Sequence, residues 1–191
     1  MAHGWVASKL GDQTARMMGR LTLNPVKHID PVGTILIPVL LIFMKSPFLF
    51  GYAKPVPVNW RNLKRPRQDM AWVALAGPGA NLLMLLLWAI TAKLLIILDM
   101  DNTAFGVIIM AMAMVGILIN AILMFFNLVP IPPLDGSRVM AALLPPKVAN
   151  KYTKLEPFGL FIVIALLFVF YSDLFRFINL LELYANRFLF L

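Results

Sequence analysis

Long apolar runs, rather than alternating or three-to-four periodic patterns, dominate the chain. Three are long enough to cross a hydrocarbon layer of about 30 Å as helices. They run from Met70 to Leu98, with Lys93 near the end and able to snorkel, from Ala104 to Val129 with no charge at all, and from Phe158 to Leu180. The last carries Asp173 and Arg176 late, which places them near the far interface. A fourth apolar stretch, Val32 to Phe50, is broken by Pro38 and by Lys45-Ser46-Pro47. Proline removes a backbone donor that lipid cannot replace, so this stretch is a poor simple span. The pattern predicts an all-α polytopic membrane protein, with three full transmembrane helices plus a re-entrant or short fourth apolar segment, forming a single membrane-embedded domain over residues 1–191.

The loops between the runs set the orientation. Residues 51–69 hold Lys54, Arg61, Lys64, Arg65 and Arg67 against Asp69, and residues 130–157 hold Arg138, Lys147, Lys151 and Lys154. The short turn between the first two spans carries Asp99 and Asp101 and nothing basic. The positive-inside rule therefore puts 51–69 and 130–157 in the cytoplasm and 99–103 outside. Residues 1–32 carry Lys9, Arg16, Arg20 and Lys27, so both flanks of Val32–Phe50 prefer the inside. That stretch should enter and return; a simple span is the alternative if a further helix lies upstream.

Composition agrees. Hydrophobic residues make up 61% and charged residues 14% of 191, which excludes disorder and exceeds what one soluble core can hide. The net charge of +8 comes from 17 basic and 9 acidic residues, the balance expected of positive-inside loops rather than of nucleic-acid binding. Cysteine is absent, which excludes disulfides, thiolate nucleophiles and cysteine-ligated metals. The opening MAHGWVASKLGD shows no basic region followed by an apolar run, so no signal peptide is visible.

Two polar constellations lie on these spans. Asn127-Leu-Val-Pro-Ile-Pro-Pro-Leu-Asp135-Gly136 follows directly from the uncharged span. Its Asp135 reads either as a helix cap or as a carboxylate metal ligand held by a rigid proline turn. Ala76-Gly77-Pro78-Gly79-Ala80-Asn81 lies inside the first span. There small residues allow close helix packing, Pro78 frees a carbonyl, and the Asn81 amide is suited to stabilising an oxyanion. The two histidines are His3, followed by Gly4, and His28, in a proline-spaced turn beside Asp30. By themselves both read as ordinary solvated or structural residues.

Together these segments resemble the site-2 proteases, zinc metalloproteases that cut within the membrane, in their small bacterial branch. Asn127 to Gly136 is similar to that family's Asn-Pro-Pro-Leu-Asp-Gly signature, and Ala76-Gly77-Pro78…Asn81 to its Ala-Gly-Pro-x-x-Asn motif. Gly51-Tyr-Ala-Lys-Pro-Val-Pro-Val58 and Lys27-His28-Ile-Asp30-Pro-Val-Gly33-Thr resemble further segments of that branch. Met1-Ala2-His3-Gly4 resembles the end of the His-Glu-x-x-His motif, whose histidines bind zinc and whose Glu is the general base.

The resemblance implies one zinc ion with His3 and Asp135 among its ligands, and Asn81 holding the substrate or its oxyanion. It implies a membrane-spanning protein substrate that unwinds locally before cleavage and could pair as an added strand along an extended Lys54–Val58 edge, and a bacterial cell membrane as the location. The first histidine and the glutamate would precede Met1. The expectation is therefore a chain shortened at its N-terminus, by assignment of its start to an internal methionine or as a natural product, and inactive as written. A non-catalytic module or dead relative that binds client proteins is the alternative function. Substrate identity and oligomeric state have no signature in the sequence.

Overall fold

A computed structural model of the chain describes residues 1–45, 51, 53–54, 56–169, 176–181 and 183. The described residues form helices and turns, and none lies in a strand. Contacts divide the chain into two compact units, Met1–Asp69 and Met70–Leu191.

In the first unit, helix α1 (Ala2–Lys9) packs on the short helix α2 (Thr14–Met17). A 3-10 turn over Pro25–His28 follows, and then a π-helical turn, Pro31–Leu36, that continues into α3 (Ile37–Phe43). Asp30 starts this last pair by accepting the amide hydrogens of Val32 and Gly33 at 3.1 and 2.8 Å, while Pro31 needs no partner for a missing N–H. Together Pro31–Phe43 is about 20 Å long at 1.5 Å per residue, too short to cross. Gly51 comes back to its start: a Cβ on Gly51 would lie 3.0 Å from the Gly33 carbonyl and 3.0 Å from Pro38 Cγ. Gly51 thus lies beside the start of this helical stretch. The expected edge, Lys54–Val58, is irregular where it is described; the Lys54 amide donates to the His28 carbonyl at 2.8 Å.

The polar centre of this unit is Asp12, whose side chain is fully buried. Its carboxylate accepts from the Thr14 hydroxyl at 2.5 Å and the Thr14 amide at 3.1 Å. It also accepts from the Asn59 amide at 2.7 Å and the Asn62 side chain at 3.1 Å. One residue thus ties the end of α1 to a 3-10 turn, Trp60–Asn62, about fifty positions away.

Helix α4 (Pro66–Ile97) runs across the boundary between the units, with Pro66 at its first turn and Asp69 accepting the Arg65 amide at 2.7 Å. It ends at Asp99 in the left-handed region, φ 53°. A short turn leads to α5 (Ala104–Leu128), capped by the Thr103 hydroxyl, which accepts the Gly106 amide at 3.0 Å. The two helices pair through Ala89, Ala92, Ala113 and Ile117, with Trp88 lying over Gly116, where a Cβ would sit 2.5 Å from the indole. Only 17% of each apolar window is buried, and Leu83, Ile90, Val107 and Ile108 are exposed. A soluble core helix would be mostly covered, so these two helices are the candidate membrane spans.

After α5 come α6 (Asp135–Leu143), α7 (Pro146–Thr153), a 3-10 turn over Glu156–Phe158 and α8 (Gly159–Val169). The expected third span is described only as α8 and residues 176–181; Asp173 and the rest lie outside the described residues. Helix α8 has 11 residues, about 17 Å, which alone does not span. The Phe177 ring meets Phe125 edge-on at 5.3 Å, one turn from the Leu128 end of α5. Gly159 lies at that same end, its position for a Cβ 2.3 Å from the Pro132 carbonyl. Phe177, and with it the neighbouring Arg176, is therefore at the proline-loop end of α5 and not at the far interface read from the sequence. An apolar run of this length is compatible with crossing or with returning, and hydropathy cannot separate the two.

Candidate active site

His3 is the second residue of α1 and is half-buried. It lines an open groove of about 770 Å³ together with Thr22, His28, Lys54 and Val56. Gly4 lets α1 sit this close to its neighbours, since a Cβ there would be 2.6 Å from Val56 Cγ1 and 2.9 Å from Leu21 Cδ2. His28 shares the groove. Its Nε2 lies 3.0 Å from the Thr22 carbonyl, which only accepts, so Nε2 is the donor in this contact.

Asp135 opens α6 and is half-buried. The loop before it turns tightly, with the Ile131 amide donating to Val129 at 2.8 Å and Leu134 to Ile131 at 2.9 Å. The Ser137 hydroxyl donates back to the Leu134 carbonyl at 2.7 Å. Gly136 explains why glycine follows Asp135: a Cβ would lie 2.2 Å from the Leu128 carbonyl and 2.6 Å from that of Val129, both backbone atoms that cannot step aside. Gly136→Ala is expected to destabilise the second unit by about 1–3 kcal/mol through overpacking. Thermal unfolding followed by tryptophan fluorescence in nanodiscs checks this.

Asn81 lies in mid-α4, one turn after the buried Pro78, and is half-buried with no hydrogen-bond partner among the described residues. The register of the α4–α5 pair places it. Trp88 stands opposite Gly116, so in this antiparallel pair Asn81 is level with about residue 123 and Gly77 with about residue 127. Met70 agrees with this register, since it shares a small cavity with Pro132 and Ser137. Asn81 and the Asp135 loop therefore occupy the same end of the helix pair, about 6 Å apart in level between Asn81 and Asn127. His3 belongs to the other unit.

An imidazole nitrogen and a carboxylate oxygen are both donors that zinc takes, so His3 and Asp135 fit as members of a ligand set. Catalytic zinc uses three protein ligands, and no group of three or more His, Cys, Asp or Glu converges among the described residues.

Comparison with known proteins decides the family. The description "Peptidase family M50" matches residues 91–170. A Bacillus subtilis (strain 168) protein named "Putative zinc metalloprotease YwhC" is 44% identical over 170 residues, covering 88% of this chain and 74% of that protein. The chain belongs to peptidase family M50. That is the site-2 protease family, so the chain is a metalloprotease by kinship. A Mycolicibacterium smegmatis protein named "Putative zinc metalloprotease Rip2" is 30% identical over 166 residues, with 86% of this chain and 60% of that protein covered. The Mycobacterium tuberculosis (strain H37Rv) protein of the same name is 28% identical over 166 residues. The chain spans about three quarters of the Bacillus relative and three fifths of the mycobacterial ones. No solved structure matches it.

Proposed function

We propose that this M50 chain contributes His3, Asp135 and Asn81 to a site that hydrolyses peptide bonds in or near membrane-spanning segments of a protein substrate. The observation that carries the reading is the placement of Asn81 and the Asp135 loop at one end of a lipid-exposed helix pair. His3 and Asp135 would be among the protein ligands of a single zinc ion. When bound, that ion activates a water molecule and polarises the scissile carbonyl. Asn81 donates its amide hydrogens to the substrate backbone or to the oxygen on which charge develops. Its place in α4, a turn past Pro78, sets that amide near the level of the proline loop.

The protein is an integral protein of a bacterial cell membrane in this reading. Residues 51–69 and 130–157 face the cytoplasm, Val32–Phe50 is re-entrant, and the whole forms one protease-like domain. The return of Gly51 to Gly33 and the shortness of Pro31–Phe43 support the re-entrant path. Single cysteines at Gln68 and Asn102 should label from opposite sides of the membrane. Labelling of both from the same side would contradict the orientation. Asn62 is unsuited to this test because its side chain bonds Asp12.

The alternative is a non-catalytic client-binding module, and the residues encoded immediately upstream of Met1 separate the two. Codons reading His-Glu in frame immediately before Met1 would support the protease; a stop codon there would support the module.

A further inference from the structure

The Asp135 loop has little of its own to hold it. Three of the six residues from Val129 to Leu134 are prolines, which lack an amide hydrogen, and α6 has only nine residues. What holds it comes from later in the chain. The Tyr152 hydroxyl donates to the Pro130 carbonyl at 2.6 Å, across 22 residues. Arg138, one turn after Asp135, pairs with Glu156 at 2.6 Å between Nη2 and Oε1. Gly159 presses on the middle of the loop, at the Pro132 carbonyl. The loop is thus gripped at its start, at its centre and just beyond its end by residues 152–159. These side chains enclose a space of about 20 Å³ with Ser137, Ala141 and Thr153, about the room one water needs.

We propose that Tyr152 and the Arg138–Glu156 pair are positioning residues for Asp135, clamping its loop so that the carboxylate is presented in one geometry. The inference rests on the reading of Asp135 as a zinc ligand. A carboxylate that ligates an ion must be held within tenths of an ångström, and a loop poor in backbone donors cannot do this alone. Burial pushes the Tyr152 hydroxyl above its usual range, which keeps its proton, and hence the bond to Pro130, in place through neutral and mildly alkaline pH. The Arg138–Glu156 pair is half-exposed, so its contribution lies in direction more than in energy. Nothing in the sequence links Tyr152 to Pro130, because the contact is a single hydroxyl meeting a single carbonyl.

The test uses the chain extended upstream by a helix ending in His-Glu before Met1, in nanodiscs, titrated with zinc, and amide hydrogen exchange over residues 129–137. Tyr152→Phe removes only an oxygen, and Arg138→Gln removes the guanidinium that reaches Glu156. Each is expected to weaken zinc binding about tenfold, as loss of a ligand's supporting partner does, and to speed exchange in 129–137 without changing α4 or α5. Exchanging the partners, Arg138→Glu with Glu156→Arg, should restore much of the loss, which a generally loosened fold would not. If both single variants bind zinc as the unmodified chain does while Asp135→Ala does not, the clamp is refuted and the ligand reading stands. If Asp135→Ala leaves zinc binding unchanged, the ligand reading fails, and unaltered exchange in Tyr152→Phe then refutes the clamp as well.

Discussion

Asp12→Ala should leave the first unit barely stable, with a loss of at least about 1–3 kcal/mol, the cost of leaving buried donors unsatisfied. The carboxylate is fully buried and answers four donors, two of which belong to the distant Asn59 and Asn62. Removing it orphans those donors and unties α1 from the 3-10 turn at Trp60. Asn at position 12 keeps one acceptor and should lose less. The same contacts set a pH dependence. Burial by itself would raise the Asp12 carboxyl, but the hydrogen bonds from Thr14, Asn59 and Asn62 outweigh it and hold the group below its ordinary value of 3.8. A group depressed on folding contributes stability above its unfolded pKa and loses it as pH falls through the folded one. Unfolding of the first unit should therefore become easier below about pH 4, and that acid sensitivity should be absent from Asp12→Asn. Thermal melts from pH 3 to pH 7, on both proteins in nanodiscs, give the comparison.

The second large effect concerns cleavage. The polypeptide of these 191 residues is expected not to cut a membrane-spanning substrate, because it offers two candidate ligands where catalytic zinc takes three. A protein extended upstream by a helix ending in His-Glu before Met1 should cut it. In that extended protein Asp135→Ala should abolish cleavage. Asn81→Ala should slow it by about 10²–10³-fold, the usual effect of losing one oxyanion donor, while leaving zinc content unchanged. That difference separates a substrate-facing amide from a ligand. Cleavage by the 191-residue polypeptide itself would contradict this expectation.

Two helices of this architecture are legible in the sequence, where length and hydropathy are the only variables. The two spans begin and end within a few residues of their apolar runs, and the broken stretch around Pro38 is a short helix whose chain comes back to Gly33. The far placement read for Arg176 fails because hydropathy measures how much apolar chain there is, not where it goes. Its neighbour Phe177 meets Phe125 at the near end. Of the candidate residues, Asp135, Asn81 and His3 are visible only through their motifs. The supporting contacts are not visible at all. Asp12 and Asn62 are 50 positions apart and Tyr152 and Pro130 22 apart, and a single polar pair leaves no periodic trace. Gly136 lies between these cases: its place in the motif is plain, but the reason, a backbone carbonyl of α5 where a Cβ would go, shows only in the fold.

Zinc stoichiometry in the upstream-extended protein tests the central claim most directly, because it asks whether His3 and Asp135 serve one ion. Metal content should be one zinc per chain, falling to a small fraction in both His3→Ala and Asp135→Ala and staying at one in Asn81→Ala. A full zinc retained in either the His3 or the Asp135 variant would contradict the assignment.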